Sequence, residues 1–376
     1  MIAAKIIFWA AAAGLIWTHA GYPIAAALGA RVRRRDVRKS DETPSVSLIV
    51  AAHDEEDVIE RRLENLLALD YPPDRLEIVV ADDASEDRTR ELVEAVAARE
   101  PRVRLIRCAR GGKVAAQNRA LRETKSDVLA FSDANAAWPS DALRQLVRAF
   151  GDPDVGFVCG RVSYEQPDGT NREGAYWAYE LWLRKQESDL GSVTGGNGAI
   201  YAVRRDDYVD VDPRFGHDLA FPYLMVQRRR RAVYEPAALS IEKPSRDLED
   251  EYRRKVRMFE HCWLITLRGR MLRGLDPVYF VQMVSHRLFR YGSGLLHLAL
   301  MVSSIALVGQ GLVYELALAA QLALLALAAA GKLRLPIPGA SLAYYYVLVT
   351  WATIVALTRY LRMGVPAVWE RAEGTR

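Results

Sequence analysis

The sequence predicts an α/β domain with a doubly wound, mostly parallel sheet, placed between apolar segments at the two ends of the chain. From Val46 to Phe150, short apolar runs alternate four times with segments whose apolar residues have helical spacing, which is typical of a parallel sheet. Hydrophobic residues make up 51% of the 376 residues, but they concentrate at the two ends while the middle is polar. We therefore expect one polar domain, residues 44–276, with membrane segments around it.

Each predicted strand is a short apolar run that leads into a polar loop, and the four runs are 46–51, 76–81, 103–108 and 128–131. The predicted helices between and after them are 58–69, 89–98, 114–123 and 139–150. Ligands of doubly wound sheets bind at the carboxyl ends of the strands. The loops that follow the four strands are therefore the candidate site.

The apolar segments have the length of membrane spans. Ile6–Ala30, at ~1.5 Å per residue, can cross a hydrocarbon core of ~30 Å. The arginines that follow it mark the cytoplasmic side and favour a retained anchor, residues 1–30, over a cleaved signal peptide. Three further spans are predicted within residues 291–362, namely Tyr291–Val308, Leu312–Ala330 and Ala340–Leu361. We expect a multi-pass protein of the inner (plasma) membrane with its polar domain in the cytoplasm.

Two points about the membrane segments stay open. Residues 277–290 are either an interfacial helix on the lipid headgroups or the last helix of the polar domain. One span before the domain and three after it place the tail, residues 363–376, outside. The tail region, however, is rich in arginine, which favours the inside. Either one late segment does not cross, or the tail departs from the rule.

The charge and the cysteines exclude several classes of protein. The net charge is +4, and part of this excess is the arginine cluster directly after the first apolar segment, so we expect no nucleic-acid partner. Cys108, Cys159 and Cys262 lie far apart, which argues against a disulfide framework and against a zinc site.

Two acidic loops follow the first two strands. In the first, Ala52 lets a ligand approach the backbone and Glu55 can accept hydrogen bonds from a ribose or a base, or else the acidic residues start a helix. In the second, Asp82 and Asp83 are costly to bury without a partner, for which a uracil imide or a ribose hydroxyl is suitable. The alternative, compatible with the first, is that Ser85 or an adjacent residue caps the next helix.

The loops after the third and fourth strands suit a diphosphate and a metal ion. Gly111-Gly112-Lys113 at a helix N-terminus can bind phosphate, although an ordinary turn has the same pattern. Asp133 and Asn135 stand two residues apart, so their oxygens can share a Mg²⁺ or Mn²⁺, or else they form a turn.

Together, these loops resemble those of family-2 glycosyltransferases with the GT-A fold, of the membrane-anchored bacterial type related to polysaccharide synthases. The likeness runs from Val46 to about Arg257. Residues 82–89 are similar to the family's Asp-Asp-Gly-Ser-x-Asp-x-Thr loop, with Ala84 at the glycine, and residues 111–118 resemble its Gly-Lys…Asn segment. Asp133-Ala134-Asn135 occupies the Asp-x-Asp position.

Three later stretches extend the resemblance. Residues 195–199, Gly-Gly-Asn-Gly-Ala, resemble the glycine-rich acceptor-side loop, which includes Gly196 and Asn197. Residues 216–219 resemble the segment that supplies the general base, which implies that Asp218 has this role. Residues 251–255 stand where membrane synthases have Gln-x-x-Arg-Trp. Arg254 is retained, but Glu251 replaces the Gln and Lys255 replaces the acceptor-stacking Trp of processive enzymes.

The resemblance implies transfer of a sugar, with inversion, from a nucleotide sugar to a saccharide or lipid-linked acceptor, in polysaccharide or glycoconjugate synthesis at the membrane lipid surface. A UDP-sugar is the expected donor, with a GDP-sugar as the alternative. The implied donor-binding residues are Ala52, Glu55, Asp82, Asp83, Lys113, Asp133, Arg254 and Arg257. Two other functions stay open: transfer of one sugar to polyprenyl phosphate, and a non-catalytic component that binds nucleotide sugars or assists export.

Overall fold

The α/β domain is built on one seven-stranded sheet in the computed structural model, which describes residues 1–164, 174–243 and 248–366. In chain order, β1 to β7 are Val46–Ala52, Leu76–Asp83, Val103–Cys108, Val128–Asp133, Val155–Tyr164, Tyr201–Arg204 and Arg231–Glu242. Their spatial order is β3-β2-β1-β4-β6-β5-β7, and β6 is antiparallel to both of its neighbours. The predicted mostly parallel sheet is confirmed, and β5 to β7 extend it beyond the four predicted strands.

Helices connect these strands and continue past the domain. In chain order, α1 to α6 are Ile2–Val32, Ile59–Leu67, Thr89–Ala97, Lys113–Leu121, Ala142–Arg148 and Gly174–Leu190. The remaining helices, α7 to α12, are His217–Gln227, Leu248–Arg268, Pro277–Tyr291, Ser293–Ala306, Leu312–Lys332 and Ala340–Met363. The four helices predicted between the strands correspond to α2 to α5, with ends shifted by a few residues.

The core lies on both faces of the sheet because successive side chains of a strand point to opposite faces. Leu48 and Val50 of β1 pack on one face with the buried stripe of α2, formed by Ile59, Leu63 and Leu66. Ile49 packs on the other face with α4. Burial of each such side chain contributes about 1.5–3 kcal/mol. The alternation therefore holds the first strand, and the loop that follows it, in a fixed place.

Three helices in the described part of the chain are long and apolar enough to cross a membrane: α1, α11 and α12. The helix found at the predicted span 291–308 is shorter than predicted. It is α10, which has 14 residues, about 21 Å, and it forms with α9 a pair bent by 62°. The bend lies at Gly292. Beyond it, Gly294 packs so closely on α12 that a Cβ atom would lie 2.6 Å from Ile354 Cγ1. Most of the predicted tail, residues 367–376 with Arg371 and Arg376, lies outside the described residues.

The apolar helices pack against the α/β domain, chiefly on α6 and α8. The second half of α1 packs on α6, where the Tyr22 hydroxyl donates to Glu187 Oε1 over 2.5 Å. The last part of α12 packs on α8, where Trp263 Nε1 donates to the Thr353 carbonyl over 2.9 Å and Arg359 lies 3.9 Å from Glu260. The C-terminal end of α12 therefore lies beside the polar domain.

Candidate active site

The candidate site lies at the carboxyl ends of β1, β2 and β4. β1 is the central strand of the three, and its neighbours β2 and β4 lie on opposite sides of it, so the order of the strands reverses here. The register places Ala51 opposite Asp133 and Ala52 opposite Asp82. Because ligands of open α/β sheets bind where the strand order reverses, the structure brings the first, second and fourth predicted loops to the expected position.

The two carboxylates at the end of β2 have partners within the protein. Asp82 is fully buried, lies 2.5 Å from Arg90 Nε and accepts from the Ser85 backbone N–H over 3.1 Å. Asp83 accepts from the backbone N–H groups of Gly111 and Gly112 over 2.7 and 2.9 Å, and it pairs with Arg110. Their burial therefore does not require a ligand partner, because each carboxylate stabilises the loops around it.

The first loop is tied to the second by hydrogen bonds. The Asp54 backbone N–H donates to Ser85 Oγ over 3.0 Å, and the Glu86 N–H donates to Asp54 Oδ1 over 2.8 Å. The Glu55 N–H donates to Thr89 Oγ1 over 2.7 Å, and the Glu55 side chain is buried below this loop. The structure thus places Ala52, Glu55 and the loop after β2 side by side, as one wall of a crevice at these strand ends.

Lys113 and Asp133 meet across the crevice. The Lys113 ammonium forms an ion pair with Asp133 Oδ1 and lies 3.4 Å from the Gly198 carbonyl oxygen. Burial acts to lower the pKa of Lys113, but the Asp133 carboxylate outweighs burial, so the pKa is raised. Lys113 is therefore a fixed cation beside the Asp-x-Asp position, while Asn135 lies half-buried in the turn after β4.

Asp218 stands at the N-terminus of α7, next to the glycine-rich loop. The Gly196 backbone N–H donates to the Asp218 carbonyl over 2.7 Å, and the charge of Asp218 contributes to the raised pKa of Lys113. Asn197 uses its amide to hold the loop, donating to the Gly160 carbonyl over 2.6 Å and accepting from the Ile200 N–H over 2.9 Å. Asp218, the glycine-rich loop and Lys113 therefore lie together.

His217, directly before Asp218, is neutral. It is buried between the hydroxyls of Tyr201 and Tyr208, at 2.8 and 3.4 Å, and burial together with the Lys113 charge lowers its pKa to about 3. An imidazole with this pKa is a poor proton acceptor near neutral pH. His217 therefore serves as a buried, neutral partner of the two tyrosine hydroxyls.

The beginning of α8 brings arginines to the same edge. Arg254 donates from Nε and Nη2 to Glu251 Oε2 over 2.9 and 2.6 Å, and its guanidinium lies over the Tyr164 ring at 6.0 Å. Lys255 also pairs with Glu251, at 3.1 Å. Burial, and then the neighbouring Arg254 charge, lower the pKa of Arg257. Arg254 and Arg257 thus concentrate positive charge beside the crevice.

Two site residues were missed by the sequence analysis. Glu242 ends β7, and burial together with the Asp133 carboxylate raises its pKa to about 7, against the opposing charges of Arg254 and Lys113. Arg62 is buried on α2 behind β4, donates to Ser132 Oγ over 2.5 Å, and has its pKa lowered by burial to about 9. Glu242 had a weak signal, an acid at the end of an apolar run, but β7 itself was not predicted.

No group of three or more His, Cys, Asp or Glu side chains that could hold a metal occurs in residues 1–164, 174–243 and 248–366. The crevice therefore offers few oxygen ligands for a metal ion. They are the Asp133 carboxylate and the neutral Asn135 amide at the Asp-x-Asp position, with Glu242 near them.

The comparisons with known proteins point to glycosyltransferases. Residues 47–211 match the model of glycosyl transferase family 2. The chain is similar to a beta-monoglucosyldiacylglycerol synthase of Synechocystis sp., with 36% identity over 44% of this chain and 36% of that protein. It is also similar to a poly-beta-1,6-N-acetyl-D-glucosamine synthase of Staphylococcus aureus, with 25% identity over 53% of this chain and 50% of that protein. The chain thus spans half or less of the length of these relatives.

One solved structure is similar over almost the whole chain. It is the mannosyltransferase PcManGT from Pyrobaculum calidifontis in complex with GDP-Man and Mn²⁺, with a TM-score of 0.73, 23% identity, and coverage of 94% of this chain and 99% of that one. At this identity the likeness shows the fold. Residues 47–211 therefore resemble glycosyl transferase family 2, and the solved structure shows that the domain has the GT-A fold.

Proposed function

We propose that the chain is a membrane-bound glycosyltransferase that transfers a sugar, with inversion, from a nucleotide sugar to a saccharide or lipid-linked acceptor in polysaccharide or glycoconjugate synthesis. The observation that carries this proposal is the meeting of Asp133, Lys113 and Asp218 at the strand-order reversal. Inverting transfer needs a base for the acceptor and positive charge for the leaving diphosphate, and this edge supplies both.

Each residue has a role in this proposal. Asp218 takes the proton from the acceptor hydroxyl as it attacks the anomeric carbon, and the bond to the diphosphate breaks on the opposite face. Lys113, Arg254 and Arg257 offset the negative charge that develops on the leaving group. Ala52, Glu55 and Asp83 bind the nucleoside, with Asp82 ordering their loops. Gly196 and Asn197 shape the acceptor side.

The crevice residues fit a divalent metal ion. Asp133 and Asn135 provide the oxygen ligands that Mg²⁺ and Mn²⁺ prefer, and the pKa of Glu242 beside them is raised by burial and by the charge of the Asp133 carboxylate. Asp133 and Asn135 would hold such an ion, which would neutralise charge on the donor diphosphate. Lys113, paired with Asp133, would offset charge on the same diphosphate.

The relatives support a choice of donor and acceptor to test. The Synechocystis relative is named as a diacylglycerol glycolipid synthase, which supports a lipid acceptor at the membrane surface. A UDP-sugar is our first choice of donor, and the GDP-Man bound to PcManGT makes GDP-mannose the second. Polyprenyl phosphate remains the alternative acceptor. Since it is already an anion, it needs little help from a general base.

The membrane helices support a location at the bilayer with the domain on the cytoplasmic side. α1, α11 and α12 have spanning length, and basic residues follow α1 directly. Arg359 and Arg362, near the end of α12, lie on the side of the polar domain, which agrees with the rule that cytoplasmic flanks are basic. Orientation and crossing number follow from testing the accessibility of engineered cysteines at the two ends.

The test is turnover by the purified full chain in lipid nanodiscs. UDP- and GDP-sugars are supplied with diacylglycerol or polyprenyl phosphate, with Mn²⁺ or with EDTA. We expect one donor to be consumed, with metal required, and the sugar to appear on one lipid. Binding of a nucleotide sugar without turnover under any condition, in folded protein, would contradict the enzymatic proposal and favour the non-catalytic alternative.

A further inference from the structure

A groove of about 1220 Å³ lies far from the active site, between α1, α9 and the turn that joins α7 to β7. Its walls include Ala25, Gly29 and Val32 of α1, together with Val278 and Val281 at the start of α9. At the edge of the domain, Asp154 and Arg231 line it, and these residues precede or begin β5 and β7. The groove is therefore at the opposite edge of the sheet from Asp133 and Glu242, which end β4 and β7.

One end of the groove is basic. Five arginines and two aspartates are the charged residues that line it. Asp154 lies 3.9 Å from Arg35, and Asp276 caps α9 by accepting from the Val278 and Tyr279 N–H groups over 3.0 Å each. Arg230 and Arg231 pair with other aspartates, at 2.9 and 3.1 Å. The acids near the groove thus already have partners.

Two arginines of this end, Arg33 and Arg229, are exposed and have no ion pair within the described ranges of the chain. Arg33 directly follows α1, and Arg229 lies at the turn before β7. An apolar wall that ends at two uncompensated guanidinium groups matches a ligand with an apolar chain and an anionic head, because guanidinium binds phosphate in a bidentate way.

The length of α1 places this basic end at the level of the lipid headgroups. α1 has 31 residues, which at ~1.5 Å per residue is about 46 Å. The hydrocarbon core is ~30 Å thick and the whole bilayer ~40–45 Å. A helix that starts at the outer surface therefore carries Arg33 to the inner headgroup layer, and Phe280 and Val281, exposed on α9, face the same layer.

From this geometry, we infer that the groove binds one anionic phospholipid, with an acyl chain along α1 and α9 and its phosphate between Arg33 and Arg229. The inference rests on the proposed membrane location and is independent of the sugar-transfer reaction. Anionic lipid is the occupant because the cytoplasmic leaflet supplies it and because the paired acids leave a net positive rim. The lipid would fix the angle between α1 and the polar domain.

The test is native mass spectrometry of the full chain, delipidated in detergent and then incubated with equal amounts of phosphatidylglycerol and phosphatidylcholine. The wild type should retain one phosphatidylglycerol. R33Q/R229Q should bind it roughly thirtyfold more weakly, since each arginine near an anionic surface contributes ~1 kcal/mol and 1.4 kcal/mol is tenfold. R61Q/R99Q, which removes two exposed arginines on or next to α2 and α3, is the matched control and should bind like the wild type.

A second variant separates the groove from general surface charge. Ala25 is exposed on α1 and lines the groove, so A25W obstructs its apolar wall and leaves every arginine in place. It should lose the retained phosphatidylglycerol. Three results would each overturn the inference. The wild type could retain phosphatidylcholine as well as phosphatidylglycerol, R33Q/R229Q could prefer phosphatidylglycerol as strongly as the wild type does, or A25W could retain phosphatidylglycerol like the wild type. A chain that remains in solution without detergent would instead contradict the membrane location, and donor turnover is measured separately.

Discussion

Ala84 offers a sharp test of how the loop after β2 is held. This alanine occupies the family's glycine position and has φ 60°, in the left-handed region that disfavours side chains. The hydrogen bonds of Ser85 and Glu86 to the Asp54 loop hold it there. A left-handed conformation costs a residue with a Cβ about 1–2 kcal/mol, and glycine loses about 0.5–1 kcal/mol more than alanine in backbone entropy on folding. Ala84→Gly should therefore stabilise the fold by about 0.5–1 kcal/mol.

The assay is the melting temperature of the detergent-solubilised full chain. At about 2–4 °C per kcal/mol, Ala84→Gly should raise Tm by roughly 1–4 °C. The matched control is Ala95→Gly, at an exposed position inside α3, the helix that follows the same loop. There the substitution should destabilise by about 1 kcal/mol, because the φ angle is helical. A fall in Tm for Ala84→Gly comparable to that of Ala95→Gly would refute the argument that Ala84 is strained.

The remaining predictions concern an ion pair, a close approach and the base. Arg90→Leu leaves the buried Asp82 carboxylate without its charge partner and should cost about 3 kcal/mol, seen as a large fall in Tm. Arg107→Leu, at an exposed ion pair, should cost less than ~1 kcal/mol, and equal losses would contradict this reasoning. Gly196→Ala places a Cβ 2.9 Å from a ring atom of β5 and should destabilise by about 1–3 kcal/mol, measured in the same melt. Asp218→Asn should reduce transfer to a hydroxyl acceptor about 10²–10⁴-fold while donor affinity, measured by calorimetry, is kept. If Asp218→Asn transferred the sugar to a hydroxyl at the wild-type rate, Asp218 would not be the base. If this variant kept its transfer to polyprenyl phosphate and showed no transfer to hydroxyl acceptors, the result would favour polyprenyl phosphate as the acceptor.

A buried polar cluster joins α1 and α9 to the glycine-rich loop, residues 195–199. Glu187 accepts from the Tyr22 hydroxyl and from Thr194 Oγ1, at 2.5 and 2.9 Å, and lies 2.7 Å from His286 Nδ1. Arg287 donates to Thr194 over 2.9 Å and lies against Gly195, where a Cβ would be 2.2 Å from its Nη2. The glycine-rich loop that contacts Asp218 is thus supported by α1, α6 and α9 together.

Much of the fold and of the site could be predicted from local patterns. The alternation of apolar runs and helical segments predicted β1 to β4 and α2 to α5, because each element has a period of its own that neighbouring residues reveal. Because ligands bind at the carboxyl ends of strands, Ala52, Asp82 and Asp133 were predicted to lie at one edge of the sheet. The strand register confirms that they lie next to one another there.

What the local patterns did not reveal depends on contacts between distant residues. β6 is antiparallel and only four residues long, so it has no long periodic pattern. It lies between β4 and β5 because it pairs with both, and its partner residues in β4 are about 70 positions away in the sequence. Whether Asp82 and Asp83 need a ligand was decided by Arg90 and by the Gly111 and Gly112 N–H groups, which only the fold brings near.

The amino-acid sequence by itself determined the class of the domain, the polar loops at its strand ends and the apolar segments at both ends of the chain. Tertiary structure alone decided that Lys113 pairs with Asp133, that Glu242 joins them, and that α10 bends away from α9 instead of forming one straight span. The reason is physical. Periodicity and turn chemistry act over a few residues, whereas burial, ion pairing and the pKa of a carboxylate depend on which distant groups the packed core brings together.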